Sequence, residues 1–220
     1  MLRWPQEDGT LLSPAHFIPM LEESGLIVRL GTWIIKQACR DLRKAREFAP
    51  NLRMAVNLSV RQLWQPTLTQ QIQQTIQDEG LPPGALELEV TESSMMSDVP
   101  RMERMLHEFH DHGFTVAIDD FGTGYSSLAR LAFLPVNTLK LDKSFLDDMH
   151  KSDMARQLVT TIVQMADNLR LNLVAEGIET DDQLQMLAEL QCPLGQGFLF
   201  TKPLPFDALV TYLKTPSRLS

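Results

Sequence analysis

Thr115-Val116-Ala117-Ile118-Asp119-Asp120-Phe121-Gly122-Thr123-Gly124 is the stretch on which the fold turns. A short apolar run, of the kind a buried strand needs, leads into two adjacent carboxylates and then a glycine turn. Like charges at the end of a buried strand repel each other and lose hydration, so a cation must stand beside them. A divalent metal is the usual one.

Working outward, short β-branched runs alternate with longer amphipathic segments. The strand candidates are 53–58, 86–91, 115–119, 138–142, 171–176 and 194–200. The helix candidates are 14–24, 32–48, 68–79, 100–112, 152–168, 181–190 and 205–213. Ser13-Pro14 and Thr180-Asp181-Asp182 are helix starts, and Gly80 and Gly113 are stops. Strand and helix in alternation predict a parallel sheet with helical crossovers, an α/β chain. No linker or composition shift divides residues 1–220, which are expected to form a single domain.

Asn57, Glu89, Asp119, Lys140, Glu176 and Gln196 each fall near the C-terminal end of a different strand candidate. In a parallel barrel those ends make one rim, and that rim carries the active site. Asn57, Glu89, Asp119 and Asp120 form an all-oxygen donor set, which suits Mg²⁺ or Mn²⁺ and would also accept Ca²⁺. Neighbouring carboxylates can bridge two metals for in-line attack on a phosphodiester. Lys140 can hold the attacking water or a phosphate oxygen. Glu176, with Glu179 beyond it, could complete the metal site or handle protons. Gly122, Thr123 and Gly124 suggest a mobile loop that shapes the site.

The bulk numbers narrow the ligand. A net charge of −8 weighs against polymeric nucleic acid, but bound metals could still admit a small phosphate ligand. No apolar run has the length of a membrane span. Cys39 and Cys192 fit no metal spacing and are expected to be buried or half-buried thiols in a reducing, cytoplasmic compartment. His107, His110 and His112 sit where a helix C-terminus favours cations. Arg101, Glu103, Arg104 and Glu108 suggest a solvated helix face with local ion pairs, and Trp33 and Trp64 suggest packing residues.

The motifs as a set resemble the EAL domain, the bacterial cyclic di-GMP phosphodiesterase domain. The matching stretches are Leu2-Arg3-Trp4, Leu12-Ser13-Pro14, Asn57-Leu58-Ser59, Glu89-Val90-Thr91-Glu92-Ser93, Asp119 through Leu128, Lys140-Leu141-Asp142, Ala175-Glu176-Gly177-Ile178-Glu179 and Gln196-Gly197-Phe198. The resemblance implies a TIM-like (β/α) barrel, two Mg²⁺ or Mn²⁺ ions, and hydrolysis of cyclic di-GMP to linear pGpG. It implies Asn57, Glu89, Asp119 and Asp120 as metal ligands and Lys140 and Glu176 as catalytic residues. It implies Arg3, Asp142, Glu179 and Gln196 as substrate contacts, Glu92 as anchor of the loop after Asp120, and a homodimer through the barrel.

The sequence departs from the family pattern at its front. The Glu-Ala-Leu run that names the family would end at Met1, so its metal-binding glutamate, the first strand and most of the second are expected to be lacking. Such a barrel would expose unpaired edges, as expected of a fragment or of a chain completed by a partner. The alternative to an active phosphodiesterase is an EAL-type module that binds cyclic di-GMP or a protein without turnover.

Overall fold

The computed structural model describes residues 2–122, 131–149 and 152–214. Thr123 and Gly124, part of the expected mobile loop, lie outside them. The chain enters through a small antiparallel ribbon, β1 (Trp4–Pro5) against β2 (Leu11–Leu12). Its turn closes through Gln6 N–H on Thr10 O at 2.9 Å and Asp8 accepting from Thr10 N–H at 2.9 Å. The ribbon is too short to leave a period-2 signature in the sequence.

Helix Pro14–Ser24 follows, with proline at its first turn and Gly25 ending it at φ +76°. Helix Ile27–Ala45 comes next, starting well before the expected Thr32. Its buried face, Ile27, Gly31, Ile35, Cys39, Leu42 and Ala45, recurs every three or four residues. Cys39 is buried and its thiol is pushed up to about 11 by that burial, with Glu79 adding to the effect.

Six parallel strands then form one sheet in the order β3 (Met54–Asn57), β4 (Leu86–Thr91), β5 (Thr115–Phe121), β6 (Thr138–Leu141), β7 (Asn172–Ala175), β8 (Leu194–Gly195). Each strand pairs with its sequence neighbour, with helices described in the connections other than β5–β6, so the sheet is a TIM-like half-barrel with β3 and β8 as its edges among the described residues. Alternation along the strands divides the side chains. Leu86, Leu88, Val90, Val116, Ile118, Leu139, Leu141, Leu173 and Ala175 join the core with Ile72, Ile76, Leu106, Phe109, Val159 and Ile162 of the helices. The other face carries Glu87, Glu89, Asp119, Thr138 and Lys140.

The final helix, Phe206–Lys214, meets the end of Ile27–Ala45 and the residues just after it. Lys44 lies 5.7 Å from the Phe206 ring centroid and Lys214 lies 4.3 Å from that of Phe48. Two expected packing residues differ from expectation. Trp33 is 53% exposed and Trp64 is 40% exposed. Trp64 instead supports the Arg101 guanidinium, 5.3 Å away, which also donates to the Trp64 carbonyl at 2.8 Å. No helix among the described residues is long and apolar enough to cross a membrane.

Candidate functional site

Lys140 is the centre of the site. It lies on β6 facing away from the helices, only 6% exposed. Its ammonium is 2.6 Å from Glu89 Oε1, 3.0 Å from Asp119 Oδ1 and 2.7 Å from Glu176 Oε1. These partners come from the end of β4, from β5 and from the residue after β7. Asn57, the last residue of β3, is in register with Glu89 and donates its amide to Glu89 Oε2 at 2.7 Å. Five of the expected residues are thus joined in one chain of polar contacts across five adjacent strands.

One cation among three carboxylates leaves an excess of negative charge. Burial pulls the Lys140 ammonium toward neutrality, but Glu89, Asp119 and Glu176 outweigh it and hold the proton more tightly than an ordinary lysine does. Glu89 and Glu176 are both raised, chiefly by burial and further by their like-charged neighbours, against the pull of Lys140. Asp120, although exposed, loses part of its hydration, which raises it first; Asp119 and Asp142 add to this against the pull of Lys140.

Asp119 and Asp120 sit where β5 departs from regular pairing, since its register with β6 shifts between Ile118 and Phe121. Asp120 takes φ +54°, in the left-handed region that aspartate tolerates better than most residues. Its amide donates to Asp119 Oδ1 at 3.2 Å. The irregularity turns the two carboxylates apart: Asp119 is buried in the cluster and Asp120 is exposed beside it.

Gly122 follows at φ +94°, and its N–H donates to Glu92 Oε2 at 2.8 Å. Glu92 is buried at the start of the short helix after β4. A Cβ on Gly122 would lie 2.4 Å from Phe145 Cζ. Gly122→Ala therefore combines a disfavoured backbone with a collision, and we expect it to cost about 1–3 kcal/mol in urea-induced unfolding. An unchanged midpoint would mean that the turn re-forms without strain.

Of the remaining expected residues, Asp142 acts electrostatically on Asp120, whereas the contacts of Glu179, Gln196 and Arg3 lie outside the Lys140 cluster. Asp142 immediately precedes helix Lys143–Met149, accepting from Ser144 N–H at 3.0 Å and Ser144 Oγ at 2.5 Å. Burial raises its pKa, but the Ser144 hydroxyl and the Ser144 and Lys143 amides outweigh burial and leave it below the usual range. Glu179 is exposed and paired with Lys143. Gln196 follows β8; its backbone accepts from Ile178 N–H at 3.1 Å and its side chain is exposed. Arg3 lies just before β1, with its guanidinium donating to the Leu2 carbonyl at 2.7 Å.

Two features were not read from the sequence. Below the cluster, Thr138 Oγ1 donates to Glu87 Oε1 at 2.7 Å, a second polar layer on the same sheet face. The spacing of Glu87 to Glu89 and of Thr138 to Lys140, two residues in each case, was the available signal. The other is Lys143.

Among the described residues, no three histidine, cysteine, aspartate or glutamate side chains form a group ready to hold a metal ion. The Lys140 ammonium stands among the carboxylates instead. The donor chemistry still fits a hard cation: Asn57, Glu89, Asp119 and Asp120 offer only oxygen, and the cluster has negative charge to spare. His112 places its ring on Phe114 at 6.2 Å, a packing role, and Nδ1 is 2.8 Å from Glu108 O.

A parallel α/β half-barrel with a carboxylate–lysine cluster near the C-terminal ends of its strands has the architecture in which barrel proteins place their sites. The chain belongs to the EAL domain family, whose model matches residues 1–203. It is 40% identical over 215 residues to the cyclic di-GMP phosphodiesterase NbdA of Pseudomonas aeruginosa, covering 97% of this chain and 28% of that protein. It is 38% identical over 214 residues to the cyclic di-GMP phosphodiesterase PdeR of Escherichia coli, covering 97% and 32%. The chain thus spans about a third or less of the length of these curated relatives. The structure of the PaMucR phosphodiesterase in its c-di-GMP complex superposes with a TM-score of 0.91 at 37% identity, covering 95% of this chain and 85% of that one.

Proposed function

We propose that this chain hydrolyses cyclic di-GMP to linear pGpG in the presence of Mg²⁺ or Mn²⁺. The observation that carries the reading is Lys140 held by Glu89, Asp119 and Glu176 within 3.0 Å on the rim of an EAL-family half-barrel. Asn57, Glu89, Asp119 and Asp120 would hold the ions, which when bound supply Lewis acidity and a more acidic attacking water. Lys140 orients that water or a phosphate oxygen. Glu176, raised above the ordinary glutamate range, exchanges protons nearer to neutrality than a free carboxylate does. Arg3, Asp142 and Gln196 bound the substrate side, and Glu92 holds the turn at Gly122. Residence in the cytoplasm and pairing with a second copy through the barrel belong to the same proposal.

The test is incubation of the purified chain with cyclic di-GMP and chromatography of the products. pGpG is expected with Mg²⁺ or Mn²⁺ and not with a chelator. Its absence at saturating cation overturns the proposal. The second reading, a module that binds cyclic di-GMP without turnover, is favoured by the ammonium that already neutralises part of the cluster. Calorimetric binding without product would establish it.

A further inference from the structure

Lys143 has no part in the chemistry above, yet it touches the segment carrying Glu176 at two points. It is the first residue of helix Lys143–Met149, three residues after Lys140 on the same rigid stretch. A cation at a helix N-terminus opposes the helix dipole, and Asp147, one turn along the helix, offsets part of that. Its stem packs under Gly177: a Cβ on that glycine, which has φ +72°, would lie 2.6 Å from Lys143 Cβ and Cγ. Its ammonium lies 2.5 Å from Glu179 Oε1.

The rest of the segment is held from other sides. Glu176 N–H donates to Leu141 O at 3.0 Å, Ile178 N–H to Gln196 O at 3.1 Å, and Glu179 N–H to Gln183 Oε1 at 2.8 Å. Gly177 takes its left-handed backbone between Glu176 and the buried Ile178. There, the atoms nearest to the space that a larger residue would take belong to the Lys143 stem.

We propose that Lys143 is a positioning residue: its stem under Gly177 and its ion pair with Glu179 clamp the 176–179 segment to β6, keeping Glu176 on Lys140. Glu179 is then the far anchor of the clamp and not a substrate contact. The ion pair is about half-exposed, and such pairs contribute little stability by themselves. Its effect is geometric, because small displacements of a reacting group cost far more in rate than in stability. The assignment to a reaction rests on the phosphodiesterase reading; the clamp itself does not.

The experiment has two arms on the full chain. Amide hydrogen exchange compares the parent with K143A: Gly177 and Glu179 are expected to exchange at least ~10-fold faster in the variant, with the β4 and β5 amides unchanged. Steady-state kinetics with cyclic di-GMP and Mn²⁺ compares K143A, K143R and E179Q. For K143A and E179Q, kcat is expected to fall about 10–100-fold with KM held within about twofold, and K143R to recover most of the loss. Unchanged exchange in K143A overturns the clamp. A raised KM with unchanged kcat in E179Q also overturns it, by making Glu179 a substrate contact. No turnover by the parent overturns the phosphodiesterase reading, and the exchange arm then decides the clamp alone.

Discussion

Replacing Lys140 with methionine is expected to lower the unfolding free energy of the metal-free protein by about 3–5 kcal/mol near neutral pH. The reason is what the substitution leaves behind. Glu89, Asp119 and Glu176 converge on one ammonium at 2.6, 3.0 and 2.7 Å. Glu89 is only 4% exposed and Asp119 9%. Methionine matches the stem of lysine but removes the one cation among the described residues that faces all three, so the uncompensated charges remain buried together. The hydrogen bond from Asn57 to Glu89 is neutral and restores no charge balance.

The pH dependence follows from the same residues. Glu89 and Glu176 are held above the ordinary glutamate range, chiefly by burial. An acid whose folded-state pKa is raised binds its proton more tightly in the folded state. Its stabilising contribution is present below the unfolded pKa and is lost as pH rises through the folded one. Without the ammonium both acids rise further, so the deficit of K140M is largest at alkaline pH and narrows toward pH ~5 as they take up protons. Urea titrations of both proteins at several pH values measure it. A deficit below about 1 kcal/mol at pH 8 would mean that water or a rearranged side chain already screens the cluster.

Much of this centre was legible in the sequence because each member lies near the C-terminal end of a strand. Leu86–Thr91 has the bounds expected of it, since three apolar residues alternate with Glu87 and Glu89. Helix Pro14–Ser24 likewise matches, because Ser13-Pro14 and Gly25 mark its ends. The strand expected over 194–200 fails after Gly195, for a reason visible only in three dimensions. A Cβ on Gly197 would lie 2.0 Å from Ile178 O, so the chain there passes over the segment after β7 instead of extending the sheet. β5 runs two residues beyond its expected end because the irregularity at Asp119-Asp120 lets pairing resume at Phe121. Sequence reading gave Lys140 a water or a phosphate as partner. Its convergence with three carboxylates from three other strands depends on inter-strand register, which local pattern does not encode. Trp33 and Trp64 were misjudged because an amphipathic pattern cannot tell a buried indole from one lying along the surface.

Asp119→Asn separates the two roles of the cluster. The amide is nearly isosteric and can still meet its neighbours, but one of the three anions around Lys140 is gone. Glu89 and Glu176 remain at 2.6 and 2.7 Å, so the ammonium keeps two partners and like-charge repulsion falls. Stability is therefore expected to change little, in contrast with K140M. Metal binding should not survive so well. Asp119 is the buried member of the aspartate pair within β5, and a neutral oxygen holds a hard cation much less firmly than a carboxylate. Loss of an outer partner of a metal site costs roughly 10–100-fold in affinity, and loss of a charged ligand should cost no less. The expected result is a Mn²⁺ affinity at least ~10-fold weaker, read from the paramagnetic signal of free Mn²⁺, and hydrolysis of cyclic di-GMP reduced at least ~100-fold. Retained Mn²⁺ affinity would remove Asp119 from the metal site and leave it as a counter-ion to Lys140. Because the titration needs no turnover, it tests that assignment even for a chain that only binds its ligand.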